Sequence, residues 1–123
     1  MALTLKLATA AATLLFTFPA FAGEDYNHFK GEPAETLTQA VVNLSDYNNK
    51  LEQVLSGDLT PESLHEVHQL TYTLENALSK LDDELEDIAE RLEKVHKASE
   101  HADPDTVKKE GQIYLTKTRT IIK

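Results

Sequence analysis

The chain has 123 residues, no cysteine, no tryptophan and a formal net charge of −9. A chain of this length makes one domain, and the missing cysteine rules out disulfides, thiolate metal sites, covalent haem attachment and a lipidated leading cysteine. The acidic balance, with no basic stripe to offset it, argues against nucleic acid and anionic lipid as partners, and leaves basic proteins, peptides and divalent cations electrostatically admissible.

The first element is a leader. Lys6 supplies a positive charge, Leu7 to Phe18 an apolar stretch, and Pro19 with Ala20-Phe21-Ala22 the small residues of a cleavage site. That is the order of a secretory signal peptide, whereas a membrane anchor needs about 20 apolar residues and no such site. Residues 1–22 are expected to be removed, leaving a periplasmic or secreted protein that begins at Gly23, does not insert in a membrane, and carries −10 once Lys6 is gone. The polar segment 23–32, with Tyr26, His28 and Phe29 interspersed, is expected to be irregular and to wrap one end of the fold or stay loose.

The remainder, 33–123, reads as a helical domain. A first helix is expected over about 33–56, with Pro33 in its first turn and Gly57 as its stop. Its apolar stripe is Leu37, Val41, Leu44, Asn48, Leu51 and Leu55, widened by Ala40, Tyr47 and Val54.

Thr60 then offers a capping hydroxyl, Pro61 suits a first turn, and Glu62 complements the helix dipole. From Leu64 the series Val67, Thr71, Leu74, Leu78, Leu81, Leu85, Ile88, Leu92, Val95, Ser99 and Ala102 keeps heptad a and d spacing without a skip. A second helix is therefore expected over about 61–101, roughly 60 Å long at 1.5 Å per residue. Asp103 caps a third helix over about 104–122, with Pro104 in its first turn and the stripe Val107, Gly111, Tyr114, Thr118 and Ile121, broadened by Leu115 and Ile122.

The outer helices together are about as long as the middle one. The fold expected is all-α, a long heptad-patterned central helix with the first helix folded back along its amino-terminal half and the third along its carboxy-terminal half, as antiparallel coiled-coil hairpins. Two-helix seams leave apolar area uncovered, so a homodimer with a four-helix cross-section is expected. The alternative breaks the central helix near Asp82 and Asp83 into an up-down-up-down four-helix bundle.

Chemistry is sparse. Glu62, His65 and His68 share a helical face, so zinc, copper or nickel is conceivable there, although a complete site needs a further ligand and a solvated helix face accounts for the same residues. Glu62 with His65 and Glu93 with His96 match the Glu-x-x-His pairs of di-iron bundles, but their heptad positions point away from the seam. A non-covalent haem bundle is a further alternative, weakened because the only methionine is Met1. No nucleophile stands beside a base and no glycine-rich phosphate loop occurs, so no catalytic residue is expected and Tyr72 and Tyr114 read as packing residues.

The segments Phe29-Lys30-Gly31-Glu32-Pro33-Ala34-Glu35-Thr36-Leu37, Tyr47-Asn48 and His65 to Leu78 resemble a family of small exported proteobacterial proteins that form a domain of unknown function. The likeness covers nearly the whole chain beyond the leader and implies a periplasmic helical protein with no catalytic residues to carry over. Leu59-Thr60-Pro61-Glu62 also looks like the helix start of periplasmic stress chaperones and zinc-responsive proteins of the spheroplast-protein group, which have glutamine where this chain has Ser63. The expectation for function is a non-enzymatic exported protein acting by self-association or protein binding, with a metal-binding or stress-related role and haem binding as alternatives.

Overall fold

A computed structural model describes residues 29–123. The expected leader, residues 1–22, and residues 23–28 lie outside the described residues. Three helices follow in order: α1, Leu37–Leu55; α2, Pro61–Glu100; and α3, Pro104–Ile121. Every regular element among the described residues is helical, and none of these helices is long and apolar enough to cross a membrane.

α1 begins four residues later than Pro33 suggests. Thr36 accepts a hydrogen bond from the Gln39 amide at 3.2 Å, while the Gln39 side chain accepts from the Thr36 amide at 3.1 Å. This reciprocal pair satisfies two of the donors a helix start leaves open, which is why the helix nucleates here. Pro33 instead belongs to the irregular segment before the helix, its carbonyl accepting from Asn43 Nδ2 at 3.2 Å.

α2 runs unbroken for 40 residues, through Asp82 and Asp83, so the four-helix arrangement that needs a break there is not formed. Thr60 caps it by accepting from the Ser63 amide at 3.3 Å, with Pro61 in the first turn. It ends in a Schellman turn: the Asp103 amide donates to the Ala98 carbonyl at 2.9 Å and the Ala102 amide to Ser99 at 3.3 Å. This turn forces Ala102 into the left-handed region at φ 53°. Asp103 then opens α3, accepting from the Thr106 amide at 3.1 Å. The Thr106 hydroxyl, then its amide, hold the Asp103 carboxyl below the usual carboxylate range.

The connections at 56–60 and 101–103 are short, so α1 and α3 each lie antiparallel to α2 and pack chiefly on it, touching each other less. Gly111 of α3 faces Val95 of α2, and Lys117 of α3 faces Glu84 and Asp87, which fixes the antiparallel sense.

The seam on α2 differs from the predicted one. Buried or half-buried positions run Val67, Leu70, Leu74, Ala77, Leu81, Glu84, Ile88, Arg91, Val95 and Ala98, again in steps of three and four. The predicted d positions are present, but the inner row beside them is Leu70, Ala77, Glu84, Arg91 and Ala98, not the row that starts at Leu64. Small side chains at Ala77, fully buried, and Ala98 let neighbouring helices approach closely. The two charged members are tolerated because α3 supplies their partners.

Those partners form one connected network. Lys117 Nζ lies 2.6 Å from Asp87 and 2.7 Å from Glu84, and Lys80 holds the other Glu84 oxygen at 2.8 Å. Arg91 Nη1 donates to Glu110 at 2.8 Å and Nη2 to Asp87 at 3.3 Å. Glu110 is buried at 7% exposure, which only such pairing makes affordable in a seam. Hydrogen bonds from Lys117 and then Lys80 hold Glu84 low, that from Lys117 and then that from Arg91 hold Asp87 low, and that from Arg91 holds Glu110 low.

Candidate functional site

Shifting the seam leaves an apolar row on the outside. Leu64, Leu78, Leu85 and Leu92 recur at multiples of seven residues along α2 and remain 53%, 54%, 48% and 48% exposed. Seven residues are nearly two helical turns, so all four lie along one line of the helix surface, about 42 Å from first to last. Thr71 completes the spacing between Leu64 and Leu78 and is half-buried. Among the described residues the buried leucines and isoleucine are Leu37, Leu70, Leu74 and Ile88.

The flank of this row away from α2's own seam is polar and one-signed. Its e and b positions hold His65, His68, Tyr72, Glu75, Ser79, Asp82, Glu86, Ala89, Glu93, His96 and Glu100. The four cationic residues of α2, Lys80, Arg91, Lys94 and Lys97, all lie at c, g and f positions. Lys97 reaches across to Glu93 at 3.2 Å, and His96 lies 3.3 Å from Glu100. Glu75, Asp82 and Glu86 have no ion-pair partner among the described residues.

A second feature is a clasp made by the segment before α1. The Glu32 amide donates to Thr73 Oγ1 at 2.9 Å, and Asn76 Nδ2 donates to the Lys30 carbonyl at 2.8 Å and the Glu32 carbonyl at 3.0 Å. Thr73, fully buried, is the anchor. Gly31 sits between them at φ 70°, and a Cβ there would stand 2.6 Å from the Thr73 amide nitrogen, so only glycine fits. The segment therefore crosses α2 well inside its length instead of wrapping an end of the fold. Beside it opens a cleft of about 580 Å³ between Lys30, Pro33, Asn76 and Lys80.

Of the candidate metal ligands only His68 nears the clasp, through Tyr72, and the three are spread out along α2. Glu62, in the first turn of α2, is exposed, and its own amide and the Thr60 hydroxyl hold its carboxyl low. His65 is exposed, and His68 Nε2 lies 3.2 Å from the Tyr72 hydroxyl with the two rings edge to face at 5.1 Å. Phe29 adds a second edge contact to Tyr72, at 6.3 Å between ring centres. No group of three or more histidine and carboxylate side chains among the described residues is placed to hold a metal ion. His96, the other histidine of the Glu-x-x-His pairs, is far along α2 beside Glu100.

The clasp was legible only as an unexplained pattern. Two of the segments that carry the family resemblance, Phe29 to Leu37 and His65 to Leu78, are the ones it joins, although they are some 40 residues apart in sequence. The glycine before Glu-Pro and the Thr-x-x-Asn spacing were its signals.

No curated protein and no solved structure matches the chain. Residues 1–123 do match a family of unknown function, DUF6746, and the chain belongs to that family.

Proposed function

We propose that this protein is exported to the periplasm or beyond, has no catalytic role, and acts by association with protein, self-association included, through the outer leucine row of α2. One observation carries the reading: four leucines at heptad intervals stay about half exposed on a 40-residue helix while its inner seam is already filled. A row of exposed leucines of that length on a small domain marks an interaction surface. The composition of residues 1–22 supports export.

The chain lacks cysteine, so single cysteines report cleanly on this face. Leu85→Cys and the control Glu90→Cys, which lies on the opposite exposed side, are labelled with a maleimide in exporting cells and in dilute purified protein. The expected result is several-fold slower labelling of Leu85→Cys than of Glu90→Cys in cells, a difference that vanishes on dilution. Equal labelling in cells would show the row uncovered and overturn the reading. Amino-terminal sequencing of the exported form should begin at Gly23.

A further inference from the structure

Resting on that reading, we infer that the leucine row of α2 receives a basic amphipathic helix of a partner protein, its apolar residues against Leu64, Leu78, Leu85 and Leu92 and its lysines or arginines along the Glu75, Asp82 and Glu86 margin. The argument is charge placement. The row is bordered on one side by α2's own seam and on the other by a margin that carries acids and histidines and no lysine or arginine. Glu75, Asp82 and Glu86 stand beside Leu78 and Leu85, at the centre of the row, without cationic partners among the described residues. In the α2–α3 network, by contrast, Glu84, Asp87 and Glu110 are paired, and towards the carboxy-terminal end of the margin Glu93 pairs with Lys97. Unpaired like charges crowded beside exposed leucines weaken an isolated helix, and an incoming cation relieves that repulsion.

A second copy of the chain fits this margin poorly. The lysines and arginine of α2 all lie at other heptad positions, so α2 offers no cation alongside its own leucine row. In an antiparallel pairing, equivalent margins face each other and acid meets acid. A helix with apolar residues every seven positions and basic residues beside them satisfies both the row and the margin, and about 28 residues of it span Leu64 to Leu92. The margin also sets the orientation of such a helix by placing its cations on one side only.

The chain has no tryptophan, so a peptide carrying one reports binding by its own fluorescence. The probes are two designed helices with the same leucine spacing and a single tryptophan, one filled with lysine and one with glutamate. The lysine peptide is expected to bind the purified protein saturably, with affinity lowered at high salt, and the glutamate peptide not to bind. The double variant Leu78→Gln/Leu85→Gln, which keeps every charge, should lose affinity at least several-fold. The triple variant Glu75→Gln/Asp82→Asn/Glu86→Gln, which keeps every leucine, should lose a comparable amount. Unchanged far-ultraviolet dichroism shows that both remain folded, as substitutions at exposed positions allow.

Binding of the lysine peptide that survives the leucine variant would reduce the effect to non-specific attraction and overturn the proposal. So would equal binding of the glutamate peptide. Sedimentation separates the remaining cases. A dimer that the leucine variant dissociates, with no peptide binding, overturns the basic-helix occupant and leaves association through the row standing. A monomer that binds neither peptide and whose Leu85→Cys variant labels freely in cells overturns both.

Discussion

Lys117 of α3 reaches 2.7 Å from Glu84 of α2, inside the seam where a leucine would ordinarily sit. The pairing is what allows a charged residue to occupy an inner position, and it ties the two helices at the same level as Asp87. Charge-assisted hydrogen bonds of this kind contribute more than neutral ones, provided both partners are present. Lys117→Ala should therefore lower stability at neutral pH by about 1–3 kcal/mol, measured by urea unfolding.

The same network sets a pH window. Glu84, Asp87 and Glu110 are held below the ordinary carboxylate range by their cationic partners, so their contribution is present above that range and is lost as pH falls through it. Lys117 is raised, by Asp87 first and Glu84 next, so its contribution is present below the ordinary lysine range and is lost only as pH rises beyond it. Stability should hold a plateau through neutral pH and fall below roughly pH 4. In Lys117→Ala the acid limb should flatten, because protonating Glu84 and Asp87 then costs one partner less. Thermal unfolding at a series of pH values checks this.

The clasp gives a second prediction. Gly31→Ala must relieve both a left-handed backbone and a contact of 2.6 Å with the Thr73 amide, neither of which a side chain can yield to. The cost should be about 1–3 kcal/mol, either in global stability or as release of the segment. Hydrogen exchange at the Glu32 amide distinguishes the two outcomes, since that amide is protected only while bonded to Thr73. Thr73→Val, which keeps shape and removes the acceptor, should lose the same protection at a global cost of about 1 kcal/mol.

Two substitutions should stabilise the protein. Ala102 occupies the left-handed position of the Schellman turn at φ 53°, where glycine carries no Cβ penalty. Ala102→Gly is expected to add about 0.5–1 kcal/mol. Gly111 lies within α3 facing Val95 Cγ2, which a Cβ would meet at 3.9 Å, an ordinary contact. Gly111→Ala should add about 0.5–1 kcal/mol by helix propensity, read as a rise in melting temperature.

The contrast between Glu84 and Leu85 explains what could be read from the sequence and what could not. Caps and breakers are local, so Thr60-Pro61 and Asp103-Pro104 placed the starts of α2 and α3, and an uninterrupted heptad correctly predicted a continuous α2. Hydrophobic periodicity alone then puts Leu85 inside and Glu84 outside, and the structure reverses them. The reversal depends on Lys117, 33 residues away, which no period in α2 encodes. The start of α1 was legible in Thr36-x-x-Gln39 but was masked by the stronger signal of Pro33. The leucine face became visible as a face only after the inner seam was assigned elsewhere.

The clasp also orders events in time. Synthesis delivers Lys30 to Glu32 before Thr73 and Asn76 exist, and the hydrogen bonds between them close loops of 41 to 46 residues. Closing such loops requires a formed α2 surface, since Thr73 and Asn76 present their donors and acceptors together only when one helical turn aligns them. The amino-terminal segment is thus the first part of the described chain to be made and among the last to settle, so that its docking signals that the central helix has already folded.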